Sequence, residues 1–120
     1  MDLAPVPSSA FAARDVVESL LGHAGDRGST VALVTTELVT NAIVHAGTPV
    51  RLSISVSGDG LDVLVEVADA APGPLRQFPG RPRSRYYTRG RGLEMLARLA
   101  LEWGVRQEEA GKTVWARIAL

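Results

Sequence analysis

Cysteine is absent from this chain of 120 residues, so disulfides, thiolate metal sites and a cysteine nucleophile are excluded. Histidine is nearly absent too: His23 and His45 are too few for a multi-histidine metal centre. Aromatics are scarce, with two each of Trp, Tyr and Phe, and the formal net charge is zero. Both features argue against a general nucleic-acid binder, which needs a basic surface and stacking platforms. No apolar run reaches the ~18–20 residues of a membrane span, and the first residues lack the basic-then-apolar layout of a signal peptide. A cytoplasmic location is therefore expected, with no membrane partner. What is present is ordinary: 46% hydrophobic and 22% charged residues, the composition of one globular domain over 1–120.

The charge that cancels overall is unevenly placed. Arg76, Arg81, Arg83, Arg85, Arg89 and Arg91 all fall between Asp69 and Glu94, a stretch without a single acid. Such a block suggests an anionic partner.

Residues 1–9, with Pro5 and Pro7, read as a loose lead-in. Ser8 or Ser9 is placed to cap a first helix over roughly 10–22, with Phe11, Val16, Val17, Leu20 and Leu21 on its apolar face. Residues 22–28 read as a glycine-rich break. Ser29 or Thr30 then caps a second helix that runs to about Ala46 and stops at Gly47-Thr48-Pro49. Alternation over 50–56 and 61–67, joined at Gly58-Asp59-Gly60, predicts a hairpin. Residues 70–89 hold Pro72, Pro74, Pro79 and Pro82 and no apolar rhythm, which marks a long loop, either a functional lid or a disordered segment. A third helix over 92–101, ended near Trp103-Gly104, and a closing hairpin over 105–107 and 113–120 complete the order. That order predicts an α+β two-layer sandwich: an antiparallel-rich mixed sheet with three helices on one face.

The most informative segment is Glu37-Leu-Val-Thr-Asn41-Ala-Ile-Val-His45. Its polar residues recur at i, i+4 and i+8, one stripe of a helix, amid Val34, Leu38, Val39, Ala42 and Ile43. Polar groups beside a core need partners, since an unpaired one costs about 1–3 kcal/mol. Asn41 offers a neutral, hard oxygen of the type Mg2+ takes when phosphates and water fill the rest of its shell. Glu37, one turn earlier, is placed to deprotonate a hydroxyl or water attacking a γ-phosphate. A Glu/Asn pair bonded to neighbouring backbone satisfies the same spacing, and spacing alone does not choose. Asp69 ends a strand before Ala70-Ala71-Pro72-Gly73, either as a turn cap or as an acceptor for the exocyclic amine of adenine. A guanine would place its carbonyl oxygen there and be repelled. Gly90-Arg91-Gly92-Leu93 directly precedes the third helix. Glycines at a helix start let backbone N–H groups approach a phosphate, and the flanking arginines favour that reading over a plain loop end.

With these residues in this order, the chain resembles the anti-sigma-factor serine/threonine kinases of the GHKL (histidine kinase-like) ATPase superfamily, and among them the small actinobacterial regulators. The likeness runs from about Phe11 to Leu120. Residues 37–45 match the N-box, Val67-Ala68-Asp69 through Pro72-Gly73 the adenine box, Gly90-Arg91-Gly92-Leu93 the second glycine box, and Gly111-Lys112-Thr113-Val114-Trp115 the final strand. The resemblance implies a Bergerat-type ATP-binding fold with ATP and Mg2+ as cofactors and an ATP lid over 70–91. It implies that Asn41 holds Mg2+, Glu37 is the catalytic base, and Asp69 reads adenine with support from Thr113. His45, Gly73, Arg89 and the backbone at Gly90, Arg91, Gly92 and Leu93 would complete the nucleotide site. Arg14 matches an arginine used in partner contact. The implied partners are a sigma factor and a STAS-type anti-anti-sigma protein, with a homodimer possible. Three departures stand out: Ala71 replaces a usual glycine, Tyr86-Tyr87-Thr88 precedes the glycine box, and the N-terminus looks too short for a first strand. The function expected is an ATP-binding anti-sigma kinase; the alternative is a non-catalytic, ATP-gated protein-binding regulator. A histidine-kinase catalytic fragment is disfavoured, because neither histidine lies in a phospho-acceptor helical hairpin.

Overall fold

Alternating valines build the centre of the molecule. In the computed structural model, which describes residues 1–22, 25–71 and 92–120 (25, 26, 92 and 93 by backbone alone), Val63, Val65 and Val67 of β3 (Asp62–Asp69) are buried on one sheet face. Val114, Ala116 and Ile118 of β5 (Gly111–Ala119) lie buried on the same face. Val65 pairs with Ala116 and Val67 with Val114, so period-two patterning in both strands presents a single apolar surface. β2 (Val50–Val56) flanks β3, adding buried Val50 and Leu52, and β4 (Glu102–Glu108) flanks β5. The sheet order is β1-β2-β3-β5-β4, and all four pairings among the described residues are antiparallel, so the sheet is antiparallel throughout rather than mixed.

Helices cover the apolar face. α1 (Ser9–Leu21) packs along α2 (Gly25–Ala46), and α2 lies on β3, β2 and β5, with α3 (Gly92–Leu99) beside it. Val31, Val34 and Val39 of α2 are wholly buried, as is Ala13 of α1, and Leu96 of α3 closes the layer. The opposite sheet face is polar. Arg106 bridges Glu66 at 3.1 Å and Glu108 at 3.0 Å, and Arg117 bridges Asp62 at 2.9 Å and Glu102 at 3.2 Å. This is the two-layer α+β sandwich the element order predicts. No helix of the described residues is long and apolar enough to cross a membrane.

Four boundaries differ from the sequence reading, each for a tertiary reason. Asp2–Leu3 is not loose: it forms β1, antiparallel to β2, with Leu3 buried and Leu52 donating its N–H to the Met1 carbonyl at 2.8 Å. Neither serine caps α1 through its side chain. Ser8 sits at the N-cap without a side-chain bond, and the buried Ser9 hydroxyl instead donates to the Ala4 carbonyl at 2.7 Å. α2 begins at Gly25, not at Ser29, with its first turn tied to the sheet by Arg27 Nε donating to the Ala119 carbonyl at 3.1 Å. β4 begins at Glu102, so Trp103-Gly104 lies inside a strand rather than ending a helix. Gly104 is needed there because a Cβ would meet the Trp115 ring at 2.9 Å.

Candidate functional site

Three chain segments converge at one end of the sandwich: the C-terminal half of α2, the end of β3 and the start of β5. α2 brings Glu37, Asn41 and His45 on the single stripe that their spacing predicts, with Asn41 buried and the other two partly buried. Asn41 is 8% exposed.

Asp69, the last residue of β3, pairs in register with Lys112 of β5. Their side chains form a buried ion pair: Lys112 Nζ lies 2.9 Å from Asp69 Oδ2, with the lysine side chain 9% exposed and the aspartate 2%. Asp69 Oδ1 also accepts the Ala71 N–H at 3.0 Å, so both the turn-cap role and a buried acceptor exist in one residue. The corner is closed from below by Thr48, whose hydroxyl oxygen accepts the Ala70 N–H at 3.1 Å. Gly111 makes this close approach possible. Its φ is +154°, and a Cβ there would lie 2.0 Å from the Asp69 carbonyl oxygen.

His45 completes the cluster. Burial and the nearby Lys112 charge together draw its pKa down to about 4, against an opposing pull from Asp69. The imidazole is therefore neutral at physiological pH and adds no charge to the site. Its folded pKa lies below the ordinary value of 6.5, so the unfolded chain binds the proton first. Stability should be intact above pH 6.5 and fall between pH 6.5 and 4, by about 1–2 kcal/mol given the group's partial exposure. Urea unfolding across that range should show this loss in the wild type and a smaller one in His45→Gln.

The remaining expected residues divide into three groups. Gly92 opens α3, which packs on α2, so a helix N-terminus does follow the glycine box; Leu93 is the next helical residue. Gly73, Arg89, Gly90 and Arg91 lie outside the described residues, as does most of the 70–91 lid and all of Tyr86-Tyr87-Thr88. Thr113 and Arg14 are described but stand apart from the cluster. Thr113 pairs with Ala68 rather than Asp69, and its hydroxyl donates to Glu108 Oε1 at 3.0 Å on the polar sheet face. The support assigned to Thr113 is instead supplied by Lys112, one residue earlier, because successive strand side chains point to opposite faces. Arg14 sits exposed on α1 with Glu18 at 3.5 Å. Sequence reasoning missed Lys112 and Thr48; the one available signal is Lys112 beside Gly111 at a strand start facing the β3 terminus.

The residues present fit a magnesium nucleotide. Among the described residues no three His, Asp or Glu side chains gather as a metal cage. A divalent ion at Asn41 would therefore draw its other oxygens from phosphate and water, which is the habit of Mg2+.

Residues 3–118 match the family model described as Histidine kinase-like ATPase domain. No curated protein matches the chain. Among solved structures, the chain is similar to the histidine kinase domain from the Erythrobacter litoralis EL346 blue-light activated histidine kinase, at 20% identity and a TM-score of 0.58. That match covers 95% of this chain and 60% of the other, and it speaks to the fold alone. With the family model spanning nearly the whole sequence and the fold matching it, the chain belongs to the histidine kinase-like ATPase domain family.

Proposed function

We propose that this protein is an ATP-binding regulator that acts as a Mg2+-dependent serine/threonine protein kinase in a partner-switching circuit, binding a sigma factor and phosphorylating a STAS-type anti-anti-sigma protein. The observation that carries the reading is the α2 stripe. Glu37 lies one turn, about 6 Å along the axis, before the buried Asn41, and both share a face with His45 beside Asp69. The family supports nucleotide binding, and the stripe supports chemistry on the nucleotide. Bound ATP with Mg2+ would supply a γ-phosphoryl group with its charge partly neutralised. Asn41 would hold the ion through its amide oxygen. Glu37 would accept the proton from the incoming serine or threonine hydroxyl, and Asp69 would take a hydrogen bond from the base. Arg14, exposed on α1, would contact the partner away from this cluster.

Incubating the protein with labelled ATP and a cognate STAS-type protein should transfer phosphate to a serine or threonine. Glu37→Ala should slow that transfer by about 10²–10⁴-fold, the usual worth of a general base, while nucleotide affinity changes little. A wild type that binds ATP, labels no partner and still switches partner binding with nucleotide would establish the non-catalytic regulator in its place.

A further inference from the structure

Only Gly47, Thr48 and Pro49 separate α2 from β2, and each is constrained. Gly47 takes φ +64° and donates its N–H to the Ile43 carbonyl at 3.1 Å, closing the last turn of α2. Pro49 fixes its own φ and offers no N–H. Thr48 lies between them, and its hydroxyl is used twice. It donates to the Pro49 carbonyl at 3.3 Å and accepts the Ala70 N–H at 3.1 Å. The first bond turns the hydroxyl proton away, which leaves a lone pair for Ala70. The second ties the exit of α2 to the exit of β3, two points 22 residues apart in the chain.

Ala70 directly follows Asp69, and the next N–H, that of Ala71, donates to Asp69 Oδ1 at 3.0 Å. Two successive backbone N–H groups therefore hold this corner, one tied to the loop after α2 and the other to the carboxylate itself. The place of Ala71 decides where Oδ1 is held, and Thr48 decides the place of Ala70. The Val50–Asp69 pairing sets the height of the strand end but not the path of the backbone beyond it. Resting on the nucleotide-binding reading, in which Asp69 accepts from the adenine amine, we propose that Thr48 is a positioning residue of the nucleotide site. Its hydroxyl fixes the Asp69 carboxylate relative to Asn41, which stands on the same α2 that Gly47 closes. Thr48 touches no ligand and acts through the Ala70–Ala71 backbone. The spacing matters because one molecule must meet both residues, its base at Asp69 and its Mg2+-bound phosphates at Asn41. A hydrogen bond to the base amine tolerates little error in distance or angle.

Thr48→Val keeps the branched shape and loses the hydroxyl, whereas Thr48→Ser keeps the hydroxyl and loses the methyl. Thr48 is half-buried, so both variants should melt within about 4 °C of wild type. In Thr48→Val the Ala70 amide should exchange with solvent at least about threefold faster. Titration calorimetry in excess Mg2+ should show its dissociation constant for ATP raised about three- to tenfold, the worth of one hydrogen bond. Thr48→Ser should return both quantities to within about twofold of wild type. An unchanged ATP affinity in Thr48→Val, or a Thr48→Ser as weak as Thr48→Val, overturns the positioning role while ATP binding stands. Weaker binding without faster Ala70 exchange overturns the route through Ala70 and the role with it. A Thr48→Val that melts further below wild type makes Thr48 a residue of the fold and likewise overturns the proposal. A folded wild type that takes up no ATP overturns the site itself, a failure read before any variant is compared.

Discussion

Asp69→Ala should destabilise the protein by about 3–5 kcal/mol, the cost of leaving a buried charge without its partner. The reason is the ammonium of Lys112, which is 9% exposed and would lose the carboxylate that lies 2.9 Å away. The Ala71 N–H would lose its acceptor at the same time. The double variant Asp69→Ala/Lys112→Met tells stability from function. With both charges gone, no buried ion is left uncompensated, and most of the lost stability should return. Nucleotide binding should not return, because the acceptor for the base amine is still missing. Urea denaturation of the four members of the cycle measures the coupling, and calorimetry with ATP measures the function. A single variant as stable as wild type would show that the pair contributes nothing to the fold.

Gly111→Ala should be comparably damaging through the backbone. The added Cβ would sit 2.0 Å from the Asp69 carbonyl oxygen and 2.9 Å from Ala70 Cα, and both obstacles are main-chain atoms that no rotamer change can move. The φ of +154° is itself a conformation that a side chain disfavours. Strands β3 and β5 must then part where their register brings Asp69 to Lys112. A loss of about 3 kcal/mol follows, or about 10 °C in Tm for a domain of this size. Nucleotide affinity should fall in parallel even below the melting range, because the Asp69 corner is displaced. Thermal unfolding with and without Mg2+-ATP reads both effects; a variant that melts like wild type would contradict the close approach.

Elements with strong periodicity are legible in the sequence itself. The β2–β3 hairpin, the body of α2 and the closing hairpin follow from alternation, from the 3.6-residue rhythm and from Gly58-Asp59-Gly60, whose turn is fixed by Gly60 at φ +74° and by Asp59 accepting the Leu61 N–H. Elements that depend on distant partners are not legible in this way. β1 is two residues long, and nothing in Asp2–Leu3 announces a strand until β2 supplies its hydrogen bonds. The first turn of α2 contains Gly25 and Gly28, which locally weaken a helix, yet Arg27 reaching the Ala119 carbonyl holds that turn against the sheet.

The same division runs through the site. Glu37, Asn41 and His45 are readable because helix geometry fixes which residues share a face. Asp69 is readable as a strand end. The identity of its neighbour is not, since a one-residue shift in strand register exchanges the two faces of the sheet and hence Thr113 for Lys112. That exchange pairs the strand-end carboxylate of Asp69 with a buried ammonium. The arginine block and the glycines before Gly92 speak only through sequence, as they lie outside the described residues.

Every function proposed for this chain requires a magnesium-bound adenine nucleotide seated between Asn41, Asp69 and the start of α3. Calorimetric titration of Mg2+-ATP into the folded wild type and into Asn41→Ala tests that requirement most directly. Saturable binding tighter than millimolar, weakened by at least about tenfold in Asn41→Ala, is the predicted result. Absence of heat and of saturation in a correctly folded wild type at millimolar nucleotide would contradict it.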